Sequence, residues 1–196
     1  MGGGILPATV RDDGQLCFLF GKENKYADTP GWSDFAGGNE KGETDYQTAL
    51  REGAEELTGF LGDTDEAIEK QLNRYGFVPV QVDSYTTHVF PYPYNPHLTT
   101  YYNSNQAFLQ RRLPADWIRK SKVFEKAEIE WFTWDDMRRR RRQFRPFYRR
   151  VVDQLLAQRA GFESFVRHAL VPKARSQRQP RTLRSARQAR TRRIRQ

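Results

Sequence analysis

Short apolar runs separated by polar stretches occupy the first part of the chain, a pattern that is typical of β-strands. Two such runs cover residues 5–10 and 16–20, and a turn-like Arg-Asp-Asp-Gly at 11–14 lies between them. The pattern therefore predicts a hairpin, followed by a polar loop over 21–31 and a third short strand over 32–36.

The apolar spacing changes to that of a helix after residue 44. Apolar side chains recur at Tyr46, Leu50 and Leu57, and Thr44 with Gln47 has the spacing of a capping box. A glycine at position 59 supplies a C-terminal stop. These features predict a helix over 45–58.

The middle and C-terminal parts of the chain continue the mixture of elements. The pattern predicts a surface helix over 65–74, strands over 77–82 and 84–92, a Pro-, Tyr- and Asn-rich loop over 91–105, a final strand over 128–134 and an amphipathic helix over 147–158. The order predicts one mixed αβ domain, because 196 residues suit a single core with appendages.

Composition limits the class of protein. No run reaches the roughly 18 apolar residues of a membrane span, and the first residues lack the basic and apolar regions of a signal peptide. The single cysteine, Cys17, excludes an internal disulfide. We therefore expect a protein of the cytoplasm or nucleus that is not secreted and does not enter a membrane. The sequence leaves its oligomeric state open.

The net charge of +9 hides an uneven distribution. Residues 1–137 hold 13 basic and 22 acidic side chains, a net charge of −9, whereas residues 138–172 carry +8 and residues 173–196 carry +10. The predicted domain is therefore acidic, and the basic character comes from one short run and a tail.

Three carboxylates lie together on the helix predicted over 45–58. On a wheel at about 100° per residue, one face carries the apolar residues and the other carries the three helix glutamates, Glu52, Glu55 and Glu56. Like charges at these spacings oppose each other by roughly 0.2–0.5 kcal/mol per pair. A divalent cation would reverse that repulsion, and Mg²⁺ prefers such oxygen ligands, with Mn²⁺ as a second candidate. A solvated acidic helix face is the alternative interpretation.

The context of the helix favours the metal site. Gly37 precedes Glu43 by six residues, and Arg51 follows Glu43 by eight and begins an Arg-Glu-x-x-Glu-Glu sequence. This spacing is similar to the Nudix box, in which the same residues are followed by a glycine and an aliphatic residue. Two departures are Gly53, which stands at a usually aliphatic position, and one extra residue before Gly59.

The resemblance implies a fold, a reaction and residue roles. It implies an α/β/α sandwich around a mixed sheet over residues 1–160, and hydrolysis of a nucleoside diphosphate linked to another group. The three helix glutamates would bind the metal with the carbonyl of Gly37 or Gly38, and Glu52 is the first candidate for the base. Arg51 and Glu43 would pair to brace the loop against the helix.

Further site residues lie outside the box. An additional acidic residue is expected near the final strand, at Glu128 or Glu125. Aromatic and imidazole side chains that could stack on a base or contact phosphate are Tyr26, Trp32, Phe35, Tyr85 and His88, although each also suits a core position.

Two basic segments lie C-terminal to the final strand. Residues 138–142 are five consecutive arginines, which we expect to be exposed because they cannot all be buried or paired, and Arg138 and Arg139 are candidate phosphate contacts. Residues 161–172 are predicted as a linker or helix end. The tail over 173–196 has an arginine at nearly every third position and no acid, which predicts disorder and a nucleic-acid partner, a nuclear-import signal or an anionic tether.

Three functions follow from these patterns. The first is an Mg²⁺-dependent hydrolase acting on a nucleoside-diphosphate derivative, with the RNA 5′ cap as the favoured substrate. The second is a hydrolase of small molecules such as nucleotides, dinucleoside polyphosphates or diphosphoinositol polyphosphates. The third is an RNA-binding protein that keeps the fold without catalysis.

Overall fold

The computed structural model describes residues 1–120 and 124–170, so the basic tail predicted over 173–196 lies outside the described residues. The strands are β1 (Gly2–Val10), β2 (Leu16–Glu23), β3 (Trp32–Ser33), β4 (Phe35–Gly38), β5 (Val78–Val82), β6 (Tyr85–Pro91) and β7 (Lys126–Thr133). The helices are α1 (Asp45–Glu56), α2 (Asp65–Tyr75), α3 (Leu98–Arg112), α4 (Ala115–Lys120), α5 (Trp134–Arg139), α6 (Arg149–Ala157) and α7 (Arg159–Leu170).

A mixed sheet forms the centre of the molecule, in the order β3, β2, β1, β6 and β5. The long strand β1 pairs in parallel with β6 on one edge. Its other edge is shared, because Gly2 to Ile5 pair with β4 and Ala8 to Val10 pair with β2, both antiparallel. Strand β7 pairs with β2. The sharing places β4, which leads into α1, beside the middle of the sheet.

Helices cover both faces of this sheet. One core lies between the sheet and α1, α2 and α3, and includes Ile5, Leu19 and Leu50. The second core lies between the sheet and α6 and α7, and includes Leu6 and Phe18. Neighbouring residues on one strand enter different cores because strand side chains alternate between faces. The predicted α/β/α sandwich is therefore confirmed.

The capping box of the best predicted helix is present. The Thr44 hydroxyl accepts from the Gln47 backbone N–H at 3.2 Å, and the Gln47 side chain accepts from the Thr44 N–H at 3.0 Å. Packing explains the glycine at position 53, because a Cβ on Gly53 would lie 2.4 Å from Cδ1 of Ile5. After α1 the chain makes a left-handed turn at the position of the extra residue, through Thr58 and Gly59 with φ values of +48° and +81°.

Two sequence predictions were wrong in detail. The strand predicted over 32–36 is two short strands, β3 and β4, broken at Asp34. The loop predicted over 91–105 contains the first half of α3. Tertiary contacts hold this helix: Asn103 exchanges two hydrogen bonds with the backbone of Ile129, at 2.7 and 3.0 Å, and the buried Tyr102 hydroxyl donates to the Glu56 carbonyl at 2.7 Å.

The segment after residue 160 continues the fold. Helix α7 places Phe162 and Val166 in the second core, so the part of 161–172 that reaches Leu170 packs against the sheet. Among the described helices, none combines the length and the apolar character that crossing a bilayer requires.

Candidate active site

The side chains of Glu52 and Glu56 point from α1 toward β4 and are buried, at 6% and 2% exposure. Glu52 lies over Gly37, where a Cβ would stand 2.1 Å from the Glu52 Oε1 atom. Glu56 accepts a hydrogen bond on Oε2 from the Ala36 backbone N–H at 2.8 Å. The glycine of the box is therefore required because the glutamate occupies the space of its side chain.

The loop before α1 is braced by an ion pair. Arg51 Nε and Nη2 donate to the two carboxylate oxygens of Glu43 at 2.8 and 3.0 Å, and Nη1 donates to Glu52 Oε1 at 2.6 Å. The hydrogen bonds from Arg51 lower the pKa of Glu43 to about 2. Glu43 also accepts from the Glu40 N–H and the Thr48 hydroxyl. The ion pair of Arg51 with Glu43 that the resemblance implies is thus present, and Arg51 also contacts the helix glutamate Glu52.

The acidic residue that joins the helix glutamates from outside is Glu125. One carboxylate oxygen each from Glu52, Glu56 and Glu125 lie within 4.8 Å of one another. Glu128, the first sequence candidate, forms an exposed ion pair with Lys22 at 2.6 Å, and the metal-ligand prediction for it is corrected. The reason is geometric: Glu125 lies before β7, whereas Glu128 is paired across the sheet with Lys22.

The third helix glutamate, Glu55, is more exposed than the other two, with 38% of its side chain accessible. Its Oε2 atom lies 3.7 Å from Arg51 Nη1. That oxygen is buried and accepts no hydrogen bond within the described part of the chain. Glu55 therefore places a carboxylate oxygen that receives no hydrogen bond in the described structure at the edge of the carboxylate group.

A buried lysine, Lys126, completes the charge arrangement and was not identified from the sequence. Its ammonium lies 2.5 Å from Glu23 Oε1, 3.2 Å from Glu56 Oε1 and 3.1 Å from Ser33 Oγ. Burial alone would lower the pKa of Lys126, but Glu56 and Glu23 raise it above its ordinary value. Burial and the neighbouring carboxylates raise the pKa of Glu56.

The position of Lys126 depends on a β-bulge. Strands β2 and β7 shift register between Lys22 and Glu23, so that Lys126 stands opposite Glu23. Gly21 leaves space for the lysine, because a Cβ there would lie 2.8 Å from its Cδ atom. A bulge interrupts the strand alternation. No local sequence signal therefore marks this lysine as inward-facing.

Two cavities meet at the Gly37 end of β4. The first, about 340 Å³, is lined by Met1, Ser33, Tyr85, Phe147 and neighbouring residues. The second, about 380 Å³, is more polar and is lined by groups from three regions, among them Glu56, Glu125, Tyr26, Arg119 and Lys120.

Arg145, which follows the five consecutive arginines closely in the sequence, lines both cavities. Its Nη1 atom donates to Glu23 at 2.9 Å, and its guanidinium carbon lies 5.0 Å from the centre of the Phe147 ring. Its Nε atom is buried and has no hydrogen-bond partner among the described residues. The guanidinium therefore keeps donor capacity at the junction of the cavities.

Three of the predicted stacking residues are core residues instead. Trp32, Phe35 and His88 are buried, at 3%, 0% and 5% exposure. Burial lowers the pKa of His88, and its Nδ1 lies 3.2 Å from the Gly4 carbonyl. Trp32 and Phe35 belong to the two cores, and the His88 ring packs against Tyr46 and Phe77, so the substrate-binding prediction for these three is corrected.

Tyr85 lies at the cavity wall and is linked to a buried carboxylate. Its hydroxyl donates to Asp34 Oδ1 at 2.5 Å, while the Thr87 hydroxyl donates to Oδ2 at 2.7 Å. Burial raises the pKa of Asp34 to about 6. Asp34 is the residue that separates β3 from β4, so this hydrogen-bonded group fixes the turn beneath the cavities.

The arginine run over 138–142 is paired more extensively than its sequence indicates, although not all five arginines form ion pairs in the described structure. Four of the five form ion pairs with carboxylates: Arg138 with Asp135, Arg139 with Asp136, Arg140 with Glu130, and Arg141 with Asp153. The side chains of Arg138 and Arg139 are exposed. Neither is among the residues that line the two described cavities.

The donor set suits a hard divalent cation. It consists of carboxylate oxygens that converge on one another, and Mg²⁺ or Mn²⁺ is bound by such ligands. Glu55 adds an oxygen without a hydrogen-bond donor in the described structure. Lys126 offsets part of the charge, since it contacts Glu23 and Glu56 on the side of β2.

Comparison with known proteins identifies the domain. A family model described as "NUDIX domain" matches residues 5–155. No curated protein matches the chain at a significant level.

Several solved structures resemble the fold at low sequence identity. A Nudix hydrolase from M. smegmatis, RenU, is 12% identical with a TM-score of 0.49, and covers 83% of this chain and 87% of its own. An Ap4A hydrolase from C. elegans is 15% identical with a TM-score of 0.43, over 82% and 98% of the two chains. The NUDIX domain of Shewanella oneidensis NrtR, complexed with ADP ribose, is 14% identical with a TM-score of 0.40, over 82% and 86%.

Proposed function

Because its residues 5–155 match the NUDIX domain, this chain belongs to the Nudix family of pyrophosphate hydrolases, and we propose that its substrate is a nucleoside-diphosphate derivative. We further propose that the reaction requires a divalent cation, with Mg²⁺ first and Mn²⁺ second. The first candidate substrate is the 5′ cap of RNA. Small nucleotides, dinucleoside polyphosphates and diphosphoinositol polyphosphates are the alternatives.

One observation carries the proposal: the carboxylates of Glu52, Glu56 and Glu125 converge beside Gly37, and two of them, Glu56 and Glu125, line the polar cavity. A bound divalent cation supplies a Lewis acid that neutralises phosphate oxygens and lowers the pKa of water. Glu52, Glu56 and Glu125 would hold this ion. The carbonyl of Gly37 is the neutral ligand that the family resemblance adds.

We propose Glu55 as the residue that accepts the proton of the attacking water. Glu52, the earlier candidate, already accepts a hydrogen bond from Arg51 on its Oε1 atom at 2.6 Å. The Glu55 Oε2 atom lies 3.7 Å from the same arginine nitrogen, beyond hydrogen-bond distance, and accepts no hydrogen bond within the described residues. A general base must have a lone pair within reach of the proton it takes. Arg51 and Glu43 support the site by holding the loop and helix together.

The two cavities support a substrate with two unlike halves. The first cavity offers the ring of Phe147, which is 44% exposed, and the Tyr85 side chain, and a nucleobase would stack there. The second cavity is polar and offers Arg119 and Lys120 to a charged group. Arg145 between them would bind the diphosphate, because a guanidinium matches phosphate oxygens with two parallel N–H donors.

The arginine run gives little support to RNA as the substrate, because residues 138–141 are paired with carboxylates. The proposal of RNA therefore depends on the tail over 173–196, which lies outside the described residues, and on the exposed side of α3, where Tyr101 and Phe108 face solvent. The third hypothesis, a protein that binds RNA without catalysis, is opposed by the retained carboxylate group.

The proposal is tested by hydrolysis assays with Mg²⁺ or Mn²⁺ on capped RNA and on a panel of small diphosphates. Glu125→Gln should lower kcat by about 10- to 100-fold, as when a group that supports a metal is removed. Glu128→Gln is the matched control and should leave activity within about twofold, because an exposed ion pair contributes little.

Two results would contradict the proposal. If no compound of the panel is hydrolysed with either metal while RNA still binds, the protein is a binder. If Glu128→Gln and Glu125→Gln lower kcat equally, the carboxylate group has been misassigned.

Substitution of Glu52 and Glu56 by Gln should also reduce the number of Mn²⁺ ions bound per chain in an equilibrium binding measurement.

A further inference from the structure

Residues 84–115 contain no aspartate or glutamate, although the segment 1–137 as a whole is acidic. Within this acid-free stretch lies α3, whose Tyr102 and Gln106 are fully buried. Its other side is exposed to solvent and carries aromatic, amide and basic groups. A helix without acidic side chains on an acidic domain suits an anionic partner.

The exposed groups of α3 form one stripe. At about 100° per residue, His97, Asn105, Phe108 and Arg112 all lie within roughly 40° of Tyr101 around the helix axis. We call these five residues the α3 stripe. Tyr101 and Phe108 are 61% and 58% exposed, which is unusual for large aromatic side chains. The rings of His97 and Tyr101 lie 5.8 Å apart, and the Arg112 guanidinium lies 5.6 Å from the Phe108 ring.

The stripe leads to the candidate active site. Only Leu113 and Pro114 separate α3 from α4, and Ile118, Arg119 and Lys120 of α4 line the polar cavity. The basic end of the stripe, at Arg112, is therefore the end that continues into the helix at the cavity wall. Trp117 of α4 adds a further exposed ring, at 49% exposure.

We propose that the α3 stripe binds the single-stranded arm of a polynucleotide whose 5′ end is held in the active site. Exposed rings accept stacked bases without regard to sequence, and arginines beside them attract the phosphates. Tyr101 and Arg112 lie about 17 Å apart along the helix, a span that accommodates several nucleotides of an extended strand. The inference rests on the proposed function and names its substrate class.

The test uses the full chain and two substrates with the same diphosphate linkage. One is a cap dinucleotide, and the other is a short unstructured RNA that carries the same cap and a 4-thiouridine in its arm. The variant is Tyr101→Ala/Phe108→Ala/Arg112→Gln. The matched control is Arg74→Gln/Tyr75→Ala, which removes a similar arginine–aromatic pair, 5.1 Å apart, from α2.

We expect the stripe variant to lower kcat/KM for the capped RNA at least tenfold, which corresponds to about 1.4 kcal/mol. Its kcat/KM for the dinucleotide should stay within about twofold of the wild type, since that substrate does not reach α3. The control variant should hydrolyse both substrates like the wild type. Because the tail over 173–196 is present in every protein, its attraction for RNA cancels in the comparison.

The proposal is overturned if kcat/KM falls equally for both substrates or for neither. It is also overturned if light scattering shows that the wild type is an oligomer which the stripe variant dissociates, because the stripe would then be an interface between copies.

Photo-crosslinking separates this inference from the proposed function. If no substrate is hydrolysed but 4-thiouridine crosslinks to α3 in the wild type and not in the stripe variant, the proposed function fails and the inference stands. If hydrolysis occurs and no crosslink maps to α3, the inference fails alone.

Discussion

The buried ammonium of Lys126 should be essential for stability, and Lys126→Met is the substitution that tests it. Methionine has a similar length and removes only the charge and its hydrogen bonds. The ammonium contacts Glu23, Glu56 and Ser33, and the two glutamates are buried, at 9% and 2% exposure. Its loss leaves two buried carboxylates without their shared cation.

The expected loss follows from the partners that remain. Removing one member of a buried ion pair typically costs about 3–5 kcal/mol. Glu23 keeps the Arg145 guanidinium at 2.9 Å, and Glu56 keeps the Ala36 N–H at 2.8 Å, so we expect the lower half of this range. For a chain of this size, about 3 kcal/mol corresponds to a fall in Tm of roughly 6–12 °C.

The loss should depend on pH with a definite sign. The ammonium lowers the pKa of Glu56, which burial has raised, so removing it raises that pKa further. At about pH 5 more of the variant's Glu56 is protonated and the missing cation matters less, whereas at about pH 8 the full effect is expected. The difference in unfolding free energy between wild type and variant should therefore grow as pH rises.

The measurement is urea unfolding at both pH values, with Lys22→Met as the control. Lys22 pairs with Glu128 at 2.6 Å but both side chains are about half exposed, so its removal should cost less than about 1 kcal/mol. If the two variants are equally stable, or if the difference between wild type and Lys126→Met is the same at both pH values, the buried charge network does not stabilise the fold as argued.

Three further predictions concern the site and its supports. Gly37→Ala should abolish most hydrolysis, because the new Cβ would lie 2.1 Å from Glu52 Oε1. Gly38→Ala is the control and should keep wild-type kcat, because a Cβ at position 38 meets nothing within 4 Å. Equal activities of the two variants would refute the close approach of Glu52 to Gly37. Burial raises the pKa of Asp34 to about 6, so the charged form of this carboxylate is disfavoured in the folded protein. Asp34→Asn should therefore gain stability relative to the wild type by up to ~3 kcal/mol as pH rises from about 4 to about 7. A difference in Tm between the two proteins that does not change with pH would contradict this. Thr58→Gly should raise the unfolding free energy by ~1 kcal/mol, because a β-branched residue is strained at a φ of +48°. If urea unfolding shows that the variant is less stable than the wild type, strain at this turn is excluded.

The main helix could be predicted from the sequence because it depends on local spacing, and the same spacing carried the resemblance that implied the reaction class. The capping box of Thr44 and Gln47 and the pairing of Arg51 with Glu43 join residues that are three and eight positions apart. Over such distances the chain geometry is nearly fixed once the helix forms. The order of apolar runs predicted a mixed αβ domain, and the resemblance to the Nudix box added the α/β/α sandwich, in which apolar side chains on both faces of the sheet are covered by helices.

Only the tertiary structure decided which charges meet. Glu23 and Lys126 are 103 positions apart, and a bulge between β2 and β7 sets their register, a feature with no signal in the strand pattern. The same register pairs Glu128 with Lys22, so the acidic residue that joins Glu52 and Glu56 is Glu125. Neutralisation of the arginine run depends on partners that include Glu130 and Asp153, which the run meets only after β7 and α6 have packed. Long-range electrostatic partners follow from packing geometry, so the sequence determined the chemistry available at the site, and the fold selected the residues that supply it.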